Sequence, residues 1–149
     1  MAFRIGLATL NEDEERSRLI RHSIEQAAQD YDDLHIVVLD NAQCDQTATD
    51  NAKLFQDANV ELVIFAHRNA TLLSDLRKLL FPIPIISLDV RVPLVTYFGS
   101  DERKRGRLAA ELFRSWSYRH WRHAPDHIVS LLADNVHGVM DNRIDSMSN

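Results

Sequence analysis

Asp89 and Arg91 close a short apolar run, residues 85–88, inside the phrase Pro84-Ile-Ile-Ser-Leu-Asp-Val-Arg-Val-Pro93. A second apolar run, residues 94–98, ends in Ser100 and Asp101 before a helical pattern begins. Two buried strands thus finish in charged groups at one edge of a sheet, the edge where open α/β folds bind ligands. Other strand ends add residues 9–11, Asp40 with Asn41, and residues 67–69, nearly all of hydrogen-bonding types. Carboxylates and a guanidinium can each grip adjacent hydroxyls with two hydrogen bonds, so such a rim suits a neutral, hydroxyl-rich small molecule. Taken singly, each rim residue is better explained as a solvated loop position, and Asn11 and Asp45 as helix caps. Asp89 and Arg91 as a pair point to function.

The elements that would position these groups follow from hydrophobic spacing. Apolar runs at 3–8, 36–39, 62–66 and 85–88 are short and nearly continuous, the pattern of strands buried on both faces. Between the first two, Leu19, Ile20, Ile24, Ala27 and Ala28 fall at helical spacing, and Asn11 with Glu14 forms a capping box. Ala48, Ala52, Phe55 and Ala58 make a second helical stripe behind Asp45. Leu72, Leu73, Leu76, Leu79 and Leu80 make a third, stopped by Pro82 and Pro84. This alternation predicts a parallel α/β sheet flanked by helices, with right-handed crossovers. A helix is expected over 102–118, burying Leu108, Ala109, Leu112, Phe113 and Trp116. A polar joint at 119–126, a strand at 128–132 and a helix start at 142–147 follow.

Composition narrows the chemistry. The chain has 149 residues, 45% apolar, which suffices for one domain with a real core. A net charge of −5 with interspersed signs implies no general attraction to nucleic acid. No G-x-G-x-x-G or P-loop occurs among its four glycines, so no cofactor is expected. No Gly-x-Ser-x-Gly elbow occurs either, and the single Cys44 reads as a small buried or half-buried residue rather than a nucleophile. His120, His123 and His127 read as solvated bases near a helix end rather than metal ligands. A phosphorelay receiver shares the α/β alternation, and Glu12-Asp13 would supply its acidic pair. The third strand, however, ends in Phe65-Ala-His67 without a phosphate-accepting aspartate.

The run Ile83-Pro-Ile-Ile-Ser-Leu-Asp-Val-Arg91, then Tyr97-Phe-Gly-Ser-Asp-Glu-Arg-Lys-Arg-Gly-Arg-Leu-Ala-Ala-Glu111, resembles the type I periplasmic sugar-binding proteins and the ligand-binding domains of the Lac-repressor family. Arg4-Ile-Gly-Leu-Ala8, Val60-Glu-Leu-Val-Ile-Phe-Ala66 and Asp141-Asn-Arg-Ile-Asp-Ser-Met147 fit the same template. The resemblance implies two similar lobes around a sugar-holding cleft, with Asn11, Asp89, Arg91, Asp101, Glu102 and Arg143 at or beside ligand contacts. It implies a non-enzymatic binding protein, either the substrate-binding component of a transport system with a permease partner or the effector domain of a regulator lacking its DNA-binding headpiece. Residues 1–100 correspond to the first lobe and 101–149 to an incomplete, truncated second lobe, from which self-association through residues after Ser100 is expected. Two features depart from the template: residues 12–16 replace sugar-stacking aromatics, and Val90 splits the usual Asp-Arg pair, a spacing that can turn Arg91 from the cleft. The resemblance implies a periplasmic location, whereas Met1-Ala-Phe-Arg-Ile-Gly-Leu7 shows no charged-then-apolar export signal and leaves a cytoplasmic one open.

Overall fold

A computed structural model describes residues 2–125 and 127. The expected strand at 128–132, the helix start at 142–147 and Arg143 lie outside the described residues. The chain divides into two units, with the boundary after Gly99.

In the first unit, β1 (Phe3–Thr9), β2 (Leu34–Asp40), β3 (Leu62–Ala66), β4 (Ile85–Leu88) and β5 (Thr96–Phe98) form one sheet in the order β2-β1-β3-β4-β5. Every neighbouring pair is parallel. Helices α1 (Glu15–Ala28), α2 (Asp45–Asp57) and α3 (Ala70–Leu80) connect them. The α/β parallel sheet expected from the apolar runs is therefore present. Its order reverses between β1 and β3, and the carboxyl ends of the strands are the edge at which open α/β sheets bind ligands.

The core lies where α2 and α3 cover the central strands. Ala48, Ala52 and Phe55 of α2, Leu73, Leu76 and Leu80 of α3, and Ala8, Val63, Phe65 and Ile85 of the sheet form one buried cluster. Close approach of α2 requires Gly6: a Cβ built there would stand 2.6 Å from Phe55 Cδ1. The right-handed crossover rule places α1 on the opposite face, and there the expected stripe is covered poorly. Leu19 is exposed and Ile20 and Ile24 are half-buried, while Ser17 and Ala28 are the buried residues of α1. Being an edge strand, β2 is half-buried along most of its length rather than enclosed on both faces.

Two caps differ from expectation. Asn11 does not cap α1; its Oδ1 accepts from the Asp13 amide at 3.0 Å, closing a local turn, and Glu14 takes the cap position. Cys44, not Asp45, occupies the cap of α2 and is exposed rather than buried. Its thiol is held below the usual cysteine range by hydrogen bonding, first from the Thr47 side chain.

In the second unit, α4 (Glu102–Trp121) runs three residues past the expected helix end. Asp101 caps it, accepting from Lys104 N at 3.1 Å, and Arg122 ends it in a left-handed conformation. The apolar stripe expected inside is exposed at Leu108, Leu112, Phe113 and Trp116. Gly106 and Ser117 are buried instead. Periodicity identified the helix but not the face that is covered.

Candidate functional site

Most of the polar groups at the strand ends are turned inward and hold the rim's shape. Asp40, after β2, accepts from Thr9 Oγ1 at 3.3 Å, from Glu12 N at 3.2 Å and from Ala42 N at 3.0 Å. Buried Asn41 donates to Ala66 O at 3.0 Å and accepts from Asn51 Nδ2, which also donates to Asp40 O. The ends of β2 and β3 are thereby stapled together across β1. Buried groups fully paired in this way rigidify a loop cluster and leave little for a ligand.

His67, after β3, belongs to the same layer. Its Nδ1 accepts from Asn69 N at 3.1 Å, which assigns the ring proton to Nε2. That nitrogen lies 3.4 Å from Asp45 Oδ1 but forms no hydrogen bond. Burial lowers the His67 pKa, and the Asp45 carboxylate opposes this only in part. Asn69 caps α3 through Thr71 N and Leu72 N and donates to Asp45 at 2.8 Å.

At the end of β4 the arrangement differs. Asp89 adopts a left-handed φ of 61°, and its amide donates to Phe98 O at 3.0 Å. This conformation is costly for a residue with a Cβ, and aspartate tolerates it better than most. Its carboxylate meets the Arg16 guanidinium from the first turn of α1. Arg91 does not pair with Asp89; its guanidinium sits over the Tyr97 ring, 4.1 Å from the centroid. Gly99 fits closely between the two, since a Cβ there would lie 2.5 Å from Tyr97 Oη and 3.0 Å from Asp89 Oδ1. Arg16, Asp89, Arg91, Tyr97 and Gly99 therefore form one cluster at the carboxyl end of the sheet in the first unit. Its groups offer donors, acceptors and an aromatic ring, the means of holding a polar ligand without bonding to it covalently.

The remaining expected site residues are placed as follows. Asn11 sits on the turn after β1, half-buried, with its Oδ1 used by Asp13 N. Glu12 beside it keeps one carboxylate oxygen, Oε1, buried without a hydrogen-bond partner. In the second unit, Asp101 caps α4, and the Glu102 side chain accepts from Ser100 Oγ and from Arg105 Nη1. Sequence reasoning passed over Arg16, Tyr97 and Gly99. The Tyr-Phe-Gly phrase did signal Tyr97 and Gly99, but Arg16 meets a partner 73 positions away, which no local pattern shows.

Among the described residues, no helix is long and apolar enough to cross a membrane. No protein-family model and no curated protein matches the sequence. Solved structures do match in fold. A solute-binding protein of an ABC transporter from Mycobacterium smegmatis, with bound glycerol, superposes with a TM-score of 0.79 at 13% identity, over 99% of this chain and 51% of that one. An ABC sugar transporter subunit from Rhodobacter sphaeroides gives 0.75 at 17% identity, over 98% of this chain and 51% of that one. The Lac repressor dimer bound to operator and an anti-inducer gives 0.67 at 14% identity, over 77% of this chain and 41% of that one. The chain thus spans between two fifths and half of the length of these structures. The likeness agrees with the segments 83–91 and 97–111 that carry the resemblance in sequence. The fold of this chain is that of the type I periplasmic sugar-binding proteins and of the Lac-repressor ligand-binding domain.

Proposed function

We propose that this protein binds a small, neutral, hydroxyl-rich ligand, a sugar or polyol, at the carboxyl-end rim of its sheet, without chemical conversion. The observation that carries this reading is Asp89, held in a left-handed conformation immediately beyond β4 with its carboxylate beside Arg16 rather than buried in the fold. Such a group can accept from ligand hydroxyls while its backbone is fixed by Phe98 O. Asn11, on the turn after β1, and Arg91, after β4, are proposed as further ligand contacts of the first unit. Fold neighbours that hold glycerol, β-D-glucose or myo-inositol support the ligand class.

The transport reading makes the chain the substrate-binding component that delivers its ligand to a permease in the periplasm. The fold likeness to the Lac repressor supports a second reading, an effector domain whose ligand controls a DNA-binding partner. A thermal-shift screen against neutral sugars and polyols tests the shared claim, because a ligand selective for the native state raises the unfolding temperature. At least one member should stabilise the protein and be recovered chemically unchanged. A panel with no stabilising member, or a ligand consumed in proportion to protein concentration, would contradict the reading.

A further inference from the structure

Arg16 meets Asp89 through Nη2, joining the first turn of α1 to the residue beyond β4. Both side chains are open to solvent, 70% and 41% exposed, so the pair adds little to folding, on the order of 0–1 kcal/mol. An ion pair the fold scarcely needs stands at the edge of the sheet where ligands bind in such folds. A guanidinium carries five N–H donors in a fixed fork, and a carboxylate has two acceptor oxygens. One donor of Arg16 and one oxygen of Asp89 are engaged with each other. The remaining groups present a donor beside an acceptor, which is the pattern of two neighbouring hydroxyls. Arg91, seated over Tyr97, adds a second guanidinium to the same cluster.

We propose that Arg16 is a specificity-determining residue: with Asp89 it forms a charge-neutral donor–acceptor pair that selects adjacent uncharged hydroxyls and disfavours cationic ligands. The inference rests on the ligand-binding reading above. An unpaired carboxylate would attract an ammonium group. With Arg16 in place an ammonium must displace the guanidinium or lie against a like charge, whereas a hydroxyl can donate to Asp89 and accept from Arg16.

The test compares glucose, glucosamine and glucuronate as probes, at mildly acidic pH where glucosamine carries an ammonium. Affinities are measured by ligand-observed NMR for the parent, Arg16→Ala, Arg16→Lys, Asp89→Asn and the Arg16→Ala/Asp89→Asn double variant. Removing the guanidinium should raise the glucosamine-to-glucose affinity ratio about fivefold, the scale of an exposed charge pair. Lysine at 16 should restore the parent ratio, and the gain should vanish when Asp89 is Asn. Urea unfolding of Arg16→Ala should match the parent, as its exposure requires. An unchanged ratio in Arg16→Ala, a gain that survives Asp89→Asn, or a parent that prefers glucuronate overturns the inference and leaves the binding reading standing. Failure of the parent to bind any of the three probes contradicts the binding reading, and this inference falls with it.

Discussion

Replacing Gly6 by alanine places a methyl group where the Phe55 ring now lies. Gly6 is in β1, paired with Val37 on one side and Val63 on the other, so its backbone cannot retreat without disturbing two ladders. The added Cβ would stand 2.6, 2.8 and 3.0 Å from Phe55 Cδ1, Cε1 and Cγ. Carbon atoms prefer about 3.5–4.0 Å, so the ring must move by roughly 1 Å. Phe55 is fully buried in the cluster with Ala8, Ala48, Ala52 and Val63, and has little room to move. Overpacking of this kind costs about 1–3 kcal/mol. Lower unfolded-state entropy returns about 0.4–1 kcal/mol of that. The expected net loss is about 1–2 kcal/mol, a fall in melting temperature of roughly 3–8 °C for a chain of this size. Urea denaturation should show a lower midpoint with an unchanged slope. Adding Phe55→Leu to Gly6→Ala should cost less than Phe55→Leu in the parent, a coupling of about 0.5 kcal/mol or more. A Gly6→Ala protein as stable as the parent, or strict additivity of the two changes, would refute this account of how α2 seats on the sheet.

Three further outcomes are expected. His67 is buried with a lowered pKa, so the unfolded chain holds its proton more tightly than the native state. Its contribution is therefore full above the ordinary histidine value of about 6.5 and is lost as pH falls below it. Urea titrations from neutral to mildly acidic pH should show a shallower acid loss for His67→Gln than for the parent; equal slopes would contradict this. Gly99→Ala should push against Tyr97 Oη and Asp89 Oδ1, weakening any ligand found by roughly fivefold through loss of positioning while shifting stability by under about 1 kcal/mol. A variant that binds like the parent would remove that contact from the site. The exposed stripe of Leu108, Leu112, Phe113 and Trp116 on α4 should drive self-association, which Leu112→Glu abolishes. Light scattering that gives 17.1 kDa for the parent at every concentration would argue against it.

Continuous apolar runs translate directly into parallel strands, and those at 62–66 and 85–88 coincide with β3 and β4. The stripe on α2 was equally plain, because Ala48, Ala52 and Phe55 repeat at helical spacing and are all buried. Helix faces were harder. Leu19 and Leu112 sit at good core spacing yet remain exposed, since periodicity gives a helix its apolar side without saying what covers it. Caps failed for a local reason: Asn11 spends its oxygen on Asp13 two residues on, a competing turn that an Asn-x-x-Glu spacing does not exclude. At the site, the positions of Asp89 and Arg91 beyond β4 were legible. Their partners were not, because the Arg16 contact depends on how α1 lies relative to β4, and Arg91 turned to Tyr97 rather than to its neighbour.

On the proposed reading, the rim around Asp89 holds a neutral, hydroxyl-rich small molecule. Saturation-transfer NMR on the parent and on Asp89→Ala, each mixed with the same panel of neutral sugars and polyols, tests it most directly. At least one ligand should receive saturation from the parent and lose it in Asp89→Ala, each measured where urea titration shows the protein fully folded, because alanine tolerates the left-handed φ at 89 less well than aspartate. Saturation of no ligand by the parent, or of the same ligand equally by both proteins, would contradict the claim.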